Sequence, residues 1–442
     1  MTSTSVNPAS SRIFALDVLR GFALLGILLM NIPFFGRSYH LHFNIDILQE
    51  YAGPNYWSWF VVNTFFEGTM RGIFSMLFGA GAILFIEGLQ RKLPSGLQPA
   101  DFYYRRVIWL LVFGMINAYV FNWAGDILYT YGIVGLFIFP FRNLKPWKLL
   151  AFGVLFLSIS TWQYTSKWDE PAEKRAKGEK ALQLKTANKP LTDVQKEDLK
   201  SWQEYQHEQS REMMLQKVEE SNREMEGDYW QVQGILSNVN EYIQTKDFYH
   251  EYFFDALSFF LIGMALLRLG FLSGDLPASR YLAVGGVSYA IGIGLNLWFI
   301  GKVQELHFDV SSYKEAFQVH PYQIRRLFLA LGHISLVQLL LKVPFGPVLL
   351  SPLEKVGRMA FTNYLSQTLI CTFVFFGYGL GQFGKWQRYE LYLFVVGVWI
   401  FQILFSMVWM HFFRIGPFEW VWRSLTWWKL QPLLRDRAPM AA

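Results

Sequence analysis

Residues 17–31 read DVLRGFALLGILLMN, an apolar run interrupted only by Asp17, Arg20 and Asn31. With its flanks, residues 13–35, it supplies the roughly 20 apolar residues needed to cross a hydrocarbon core about 30 Å thick. Asp17 and Arg20 are three apart and share a helix face, and Asn31 returns to that side about three turns later. One face of a membrane helix therefore carries polar groups from one leaflet to the other. Ionisable side chains at that depth are costly unless they face a bundle interior or a watery cavity, which makes them candidates for function.

The rest of the chain fits a membrane protein built around this helix. Of 442 residues, 52% are hydrophobic and 18% aromatic, too apolar for a string of soluble domains. A lone cysteine, Cys371, excludes an intramolecular disulfide and any cysteine-based metal motif, and reads as a small core residue. The tail MTSTSVNPASSR has no A-x-A cleavage site, so the first helix is expected to be retained rather than cleaved as a signal peptide. Further apolar segments follow at 68–89, 107–121, a stretch that opens at GDILYTYG and ends at Arg142, a stretch from Lys145 to about Tyr164, then 252–269, 281–300, 327–341, 356–376 and 389–412, while 57–66 reads as interfacial. The expectation is an all-α, polytopic integral membrane protein with about ten transmembrane helices.

Between the two halves the composition changes: residues 166–250 hold 13 Lys and Arg against 17 Asp and Glu. The chain thus divides into 1–165, a five-span half; 166–250, a charged helical insert; and 251–442, a second five-span half with an amphipathic basic tail, GPFEWVWRSLTWWK. Pro190 breaks the first charged helix, and Thr192 with Gln195 forms a capping box that opens the next. Sparse apolar positions suit a two-helix arm, an appendage expected to be removable and to offer a surface for a protein partner or a second copy. Because the insert is net acidic, the net charge of +6 belongs to the membrane part. There Lys and Arg collect in alternate loops, which places both termini in the cytoplasm and the insert outside, and gives no reason to expect nucleic acid as a partner.

With that orientation Asn31, Glu67, Arg71, Asp126, Glu251, Asp255, His320, Arg325 and Arg326 share an outer level. Asp17, Arg20, Arg358 and Arg423 share an inner one, with His333, Asn363, Tyr364 and Gln367 between. A polar cavity open toward both faces would collect these groups. Each also has a structural reading: Glu67 and Arg71 as an i,i+4 bridge, Asp126 as a helix N-cap, His333 as a satisfied core imidazole rather than a proton shuttle, His40 and His42 as loop residues, and Asp17 with Arg20 as a headgroup-level pair. No Gly-rich phosphate loop, H-E-x-x-H or G-x-S-x-G is present, so no metal is expected.

Five ordered blocks then carry a resemblance: LDVLRGFALLGILLMNIPFFG (16–36), FFEGTMRGIFSMLFGAGA (65–82), GDILYTYGIVGL (125–136), GRMAFTNYLSQTLICTFVFFGYGLG (357–381) and GPFEWVWRSLT (416–426). Together they resemble the YeiB-like family of bacterial inner-membrane proteins, which implies that membrane as the location. The family looks distantly related to transmembrane acyltransferases, including heparan-glucosaminide acetyltransferase and polysaccharide O-acyltransferases, which move acyl groups from cytosolic acyl-CoA to acceptors across the membrane. In the O-acyltransferases an Arg in the first core helix is followed after ten residues by a His; Arg20 matches the Arg, but Asn31 stands where the His would be. The heparan-glucosaminide relatives also have Asn there and keep a catalytic His in the next loop, where this chain has His40 and His42.

What the resemblance implies is an acyl-CoA donor at the inner level, its phosphates near Arg20, Arg358 or Arg423 and beside Asp17. An outer acceptor, a small molecule, glycan or lipid, would meet Asn31, Glu67, Arg71 and Asp126, with His333 as a further proton-transfer candidate. The alternative is a transporter, flippase or lipid- or quinone-binding protein that uses the same cavity without covalent chemistry. A third possibility is an assembly role through the insert.

Overall fold

A computed structural model describes residues 8–92 and 97–435; the N-terminal tail read above and the residues after Arg435 lie outside that set. The described chain is built from helices and contains no strand. The first half comprises α1 (Pro8–Gly36), α2 (Gly53–Val61), α3 (Thr69–Lys92), α4 (Gln98–Tyr119), α5 (Leu128–Ile138) and α6 (Pro146–Ser166). The insert forms α7 (Asp169–Thr186), α8 (Asp193–Glu208), α9 (Arg211–Glu224) and α10 (Tyr229–Tyr242). The second half comprises α11 (Phe253–Arg268), α12 (Ala278–Glu305), the single turn α13 (Tyr313–Ala316), α14 (Tyr322–Lys342), the single turn α15 (Gly346–Leu349), α16 (Ser351–Arg358), α17 (Ala360–Phe375), α18 (Arg388–Phe412) and α19 (Pro417–Trp427).

Among the described residues, six helical stretches are long and apolar enough to cross a membrane: Phe14–Gly36, Gly53–Arg91, Tyr229–Arg268, Ala278–Glu305, Tyr322–Lys342 and Arg388–Phe412. The other four expected spans are helical but shorter or more polar. α5 has 11 residues and α17 has 16, and at 1.5 Å per residue both stop short of 30 Å. α4 and α6 have the length but dilute it with charged and hydroxyl side chains.

Two close crossings set the bundle. A Cβ at Gly21 would overlap the carbonyl of Leu353, and one at Gly357 would overlap that of Asp17, so α1 and α16 meet backbone to backbone. Gly79 meets the Phe260 carbonyl and Gly263 meets that of Met76, which brings α3 against α11 in the same way. Small residues at such crossings are how membrane helices gain van der Waals contact without a hydrophobic driving force.

The stretch from α2 to α3 is broken. After α2 the chain widens into a π-helical segment, Val62–Phe66. It unwinds at Glu67 and turns at Gly68, whose φ of 69° favours glycine. A carbonyl freed inside a membrane must find another donor. Here Asn296 of α12, fully buried, donates through Nδ2 to the carbonyls of Asn63 at 2.7 Å and Thr64 at 2.9 Å.

The insert is more than an appendage. Its capping box is formed, with Thr192 N donating to Gln195 Oε1 at 3.0 Å and Gln195 N to Thr192 Oγ1 at 3.3 Å. It contains four helices rather than two, and α10 runs through a second π-helical stretch, Ile243–Tyr252, directly into α11. The expected boundary at 250 therefore falls inside a continuous helix. Met225 and Val232 are buried in the same apolar cluster as α1 and α17, and Trp168 joins Trp59 and Phe299 in another. Asn240 donates to the Ala118 carbonyl at 2.9 Å, and Gly377 N donates to the Met225 carbonyl at 2.8 Å. The insert seals the ends of α4 and α17, on the side of the protein opposite the α1 N-terminus and α19.

Candidate functional site

On the side of the α1 N-terminus and α19, hereafter the terminal face, a cavity of about 600 Å³ opens among α1, α3, α4, α16, α17 and the tail helix α19. Asp17, Arg20, Arg358 and Arg423, the four residues assigned to the inner level from sequence, all line it, joined by Arg106, Arg414 and Glu419. Five guanidinium groups thus face two carboxylates. Asp17 and Arg20 form the expected i,i+3 ion pair. Arg358 reaches Glu354 at 3.4 Å and the Arg414 carbonyl at 2.9 Å. Arg106 has no carboxylate partner among the described residues and lies 3.7 Å from the centre of the Trp422 ring; the exposed Arg423 is likewise without one. Glu419 is committed elsewhere, accepting from the N–H groups of Phe361 at 2.7 Å and Thr362 at 3.1 Å, where it caps α17. Burial pushes its carboxyl above the usual range, against the pull of those hydrogen bonds.

The walls of the cavity rise along α3 from Leu89 to Phe74 and are apolar or aromatic. Tyr364, Leu128 and Tyr131 stand at its upper end. Behind Tyr364 lies Asp126, whose Oδ1 accepts from Tyr364 Oη at 3.2 Å and Asn117 Nδ2 at 2.8 Å, and whose Oδ2 accepts from Tyr129 N at 2.8 Å. Asp126 therefore ties α4, α5 and α17 together and accepts a first-turn N–H of α5, although the N-cap position expected for it is held by Ile127. Tyr131 closes the top. Its ring packs against Phe78 and Phe260, each at 5.0 Å, and its hydroxyl bonds Ser75 Oγ at 2.6 Å. Ser75 is one helical turn from Arg71, a rise of about 6 Å.

Above that aromatic plug sits a second polar centre, at the helix break. The expected Glu67–Arg71 bridge does not form, because the unwound Glu67–Gly68 step destroys the i,i+4 geometry on which it depends. Glu67 instead approaches His42 Nε2 at 3.5 Å, and Arg71 pairs with Asp255 Oδ2 at 3.2 Å. Arg326 takes the other oxygen of Asp255, and Arg325 donates to Asn296. His42 stacks on Phe34 with ring centres 4.2 Å apart. Phe34 is three residues beyond the half-buried Asn31, so the two lie on one face of α1.

The loop that carries His42 is fixed by a buried triad. Glu50 accepts from Arg388 Nε at 2.7 Å and Arg37 Nη1 at 3.1 Å, while Arg388 also donates to the carbonyls of Leu41 at 2.6 Å and His42 at 3.1 Å. His42 is thereby held and leaves Nδ1 without a hydrogen-bond partner. His40 lies on the outer side of the same loop beside Tyr39, away from this pair. His333 belongs to neither polar centre: it bonds Tyr289 Oη at 2.9 Å and is enclosed by Phe22 and Phe66.

Sequence reasoning missed Arg106 and Arg414, which read as ordinary loop anchors, and Arg388 and Asn296, which contact partners 338 and 233 residues away. No grouping of three or more His, Cys, Asp or Glu suited to a metal occurs among the described residues.

Comparison with known proteins places these residues in a wider set. Residues 266–429 match a family described as a protein of unknown function, DUF418. The uncharacterized protein YeiB of Escherichia coli K12 is 31% identical over 430 residues, covering 93% of this chain and 95% of that protein. The uncharacterized protein YxaH of Bacillus subtilis 168 is 28% identical over 442 residues, covering 98% and 99%. No solved structure matches.

Proposed function

The chain belongs to the YeiB-like family of proteins, and from that premise we propose that it is a transmembrane acyltransferase of the bacterial inner membrane, with both termini and the terminal face in the cytoplasm. A donor of the acyl-CoA class enters the cavity at the terminal face. Its phosphates lie among Arg106, Arg358, Arg414 and Arg423, and its acyl arm points up the apolar wall of α3. The acceptor, a hydroxyl or amine, comes from the insert side to the centre at the helix break. The observation that carries this reading is that one helix, α3, leads from an arginine-rimmed, apolar-walled cavity of about 600 Å³ to the break that precedes it, where an imidazole–carboxylate pair lies about two helical turns beyond the Ser75–Tyr131 roof.

The chemistry follows from the groups present. Glu67 beside Nε2 holds the His42 ring, which leaves Nδ1 to take the proton of the attacking hydroxyl or amine. The acceptor oxygen or nitrogen forms a bond to the acyl carbon. The resulting oxyanion is met by Asn31 as a neutral donor. Collapse breaks the carbon–sulfur bond, and the proton returns from His42 to the departing thiolate. Asp17 and Arg20 shape the cavity mouth. Asp126 and His333 act in the scaffold rather than in the reaction.

The test is acyl transfer from radiolabelled acetyl-CoA to endogenous acceptors in membrane vesicles. His42→Gln and Glu67→Gln should each lower it by about 10²-fold or more, the scale of a lost general base. Arg106→Ala and Arg423→Ala should raise the KM for the donor and leave kcat intact. Labelling that is indifferent to both His42→Gln and Glu67→Gln would sink the proposal. The broken helix at Glu67 supports a second reading, since discontinuous membrane helices frame substrate sites in transporters. Passage of a substrate through proteoliposomes with no acyl donor present would select it.

A further inference from the structure

The centre at the helix break holds groups that the acyl-transfer reading does not use. Arg71, Arg325 and Arg326 converge there on only two carboxylates, Glu67 and Asp255, which leaves one positive charge in excess. Arg325 and Arg326 are 3% and 1% exposed and fully enclosed by protein. Arg71 differs: a quarter of its side chain remains accessible.

Three tyrosines surround Arg71. Its guanidinium lies 5.4 Å from the Tyr252 ring centre. Tyr322 stacks on Tyr164 with centres 5.0 Å apart and packs its hydroxyl against Gly68, where a Cβ would overlap it. None of the three hydroxyls hydrogen-bonds another protein group among the described residues, and all three rings are partly exposed. At the rim, Lys167 is paired with Glu251, and Asp247 stands beside it. α3 also begins here, at Thr69, so the positive end of its dipole lies at the same break.

We infer that this centre recognises its molecule by a phosphate group, held by Arg71 and the hydroxyls of Tyr164, Tyr252 and Tyr322. A phosphate is favoured over a carboxylate because one guanidinium and three hydroxyls offer more donors than two carboxylate oxygens accept well, whereas a phosphate presents three strong acceptor oxygens. The site lies at the outer level of the bundle, so the phosphate can arrive on a lipid headgroup or on a soluble molecule. Both present the same chemistry. The inference rests on the acyl-transfer reading only in calling that molecule the acceptor.

The experiment measures binding to the purified full-length protein in neutral-lipid nanodiscs by calorimetry, with no acyl donor present. The probes are dihexanoyl-phosphatidate, its phosphate-free counterpart dihexanoylglycerol, and inorganic phosphate. Phosphatidate should bind at least about tenfold more tightly than the diacylglycerol, and Arg71→Gln should remove about that factor, as expected for a charge-assisted contact. Tyr252→Phe and Tyr322→Phe, which delete only one oxygen each, should weaken binding about threefold to tenfold and decide the matter if Arg71→Gln fails to fold. Inorganic phosphate binding as well as phosphatidate assigns a soluble source; phosphatidate alone assigns a lipid. Equal binding of phosphatidate and diacylglycerol, no binding of either anion, or binding unchanged in all three variants overturns the inference. Because no turnover is read, a phosphate site can survive the failure of the acyl-transfer proposal, and the reverse also holds.

Discussion

Asn296→Ala isolates what the helix break requires. The side chain is fully buried on α12 and bridges three groups: it donates to the carbonyls of Asn63 and Thr64 at 2.7 and 2.9 Å, and its Oδ1 accepts from Arg325. An interhelical hydrogen bond in a membrane is worth about 0.6 kcal/mol on average and up to about 1.7. A buried polar group left unpaired costs about 1–3 kcal/mol. Two orphaned carbonyls and one released arginine contact therefore sum to about 2–4 kcal/mol, since the Arg325 guanidinium can still reach the Asn63 carbonyl at 3.4 Å. At about 2 °C per kcal/mol for a chain of this size, the melting temperature in detergent should fall by about 4–8 °C. Val287→Ala on the same helix is the control, because that side chain is 60% exposed; its effect should stay within about 0.5 kcal/mol. The assay is thermal unfolding of the purified protein followed by intrinsic fluorescence and by retention of a monodisperse peak. If Asn296→Ala melts with the wild type, or no lower than Val287→Ala, the carbonyls at the break are not sustained by this residue and the account of the kink is wrong.

Three further outcomes follow. Gly263→Leu forces a side chain into the Met76 backbone at the α3–α11 crossing and should abolish a monodisperse product, whereas Gly286→Leu on α12, where nothing lies within 4 Å of the added Cβ, should not. His320 stacks on Trp168 at 4.5 Å and accepts from Tyr322 N through Nδ1; burial, reinforced by Arg325 and Lys167, pushes its pKa down to about 3. Its stabilising neutral form is therefore fully present above about 6.5 and is lost as pH falls toward 3, so the wild type should lose about 1 kcal/mol per pH unit below pH 6.5 relative to His320→Phe; parallel pH–stability curves would contradict this. Deletion of residues 166–247, tolerable for a detached arm, removes Trp168, Met225 and Val232 from buried clusters, and size-exclusion chromatography should show aggregate rather than a folded membrane domain.

Much of this was legible in the sequence where a single helix carries the signal. The apolar run around Asp17 and Arg20 announced a membrane helix with polar cargo, and Asp17, Arg20, Arg358 and Arg423, assigned one level from the sequence, line one cavity. Thr192 and Gln195 announced a cap that is formed. What failed did so at a break in periodicity. Glu67 and Arg71 have the spacing of a bridge, but Gly68 takes a left-handed turn between them and sends each to a partner elsewhere in the chain. The insert misled for a different reason. Its charge marks the solvent-facing sides of α7 to α10, while a few buried residues, Trp168, Met225 and Val232, decide that it is docked, and so few apolar positions do not stand out in a charged segment. Arg388 acts through Glu50, Leu41 and His42, and Asn296 through the carbonyls of Asn63 and Thr64, all more than two hundred residues away, which no local pattern encodes.

The aromatic plug between the two polar centres has a consequence for the membrane itself. A row of arginines, tyrosines and carboxylates running continuously from one face to the other would be a conductive path, and any membrane that stores energy as an ion gradient would discharge through it. Tyr131, Phe78 and Phe260 interrupt that row with rings packed 4.7 to 5.0 Å apart, and the Tyr131 hydroxyl is tied to Ser75 rather than left to relay protons. The same three side chains that separate the two polar centres are thus the electrical insulation of the bundle.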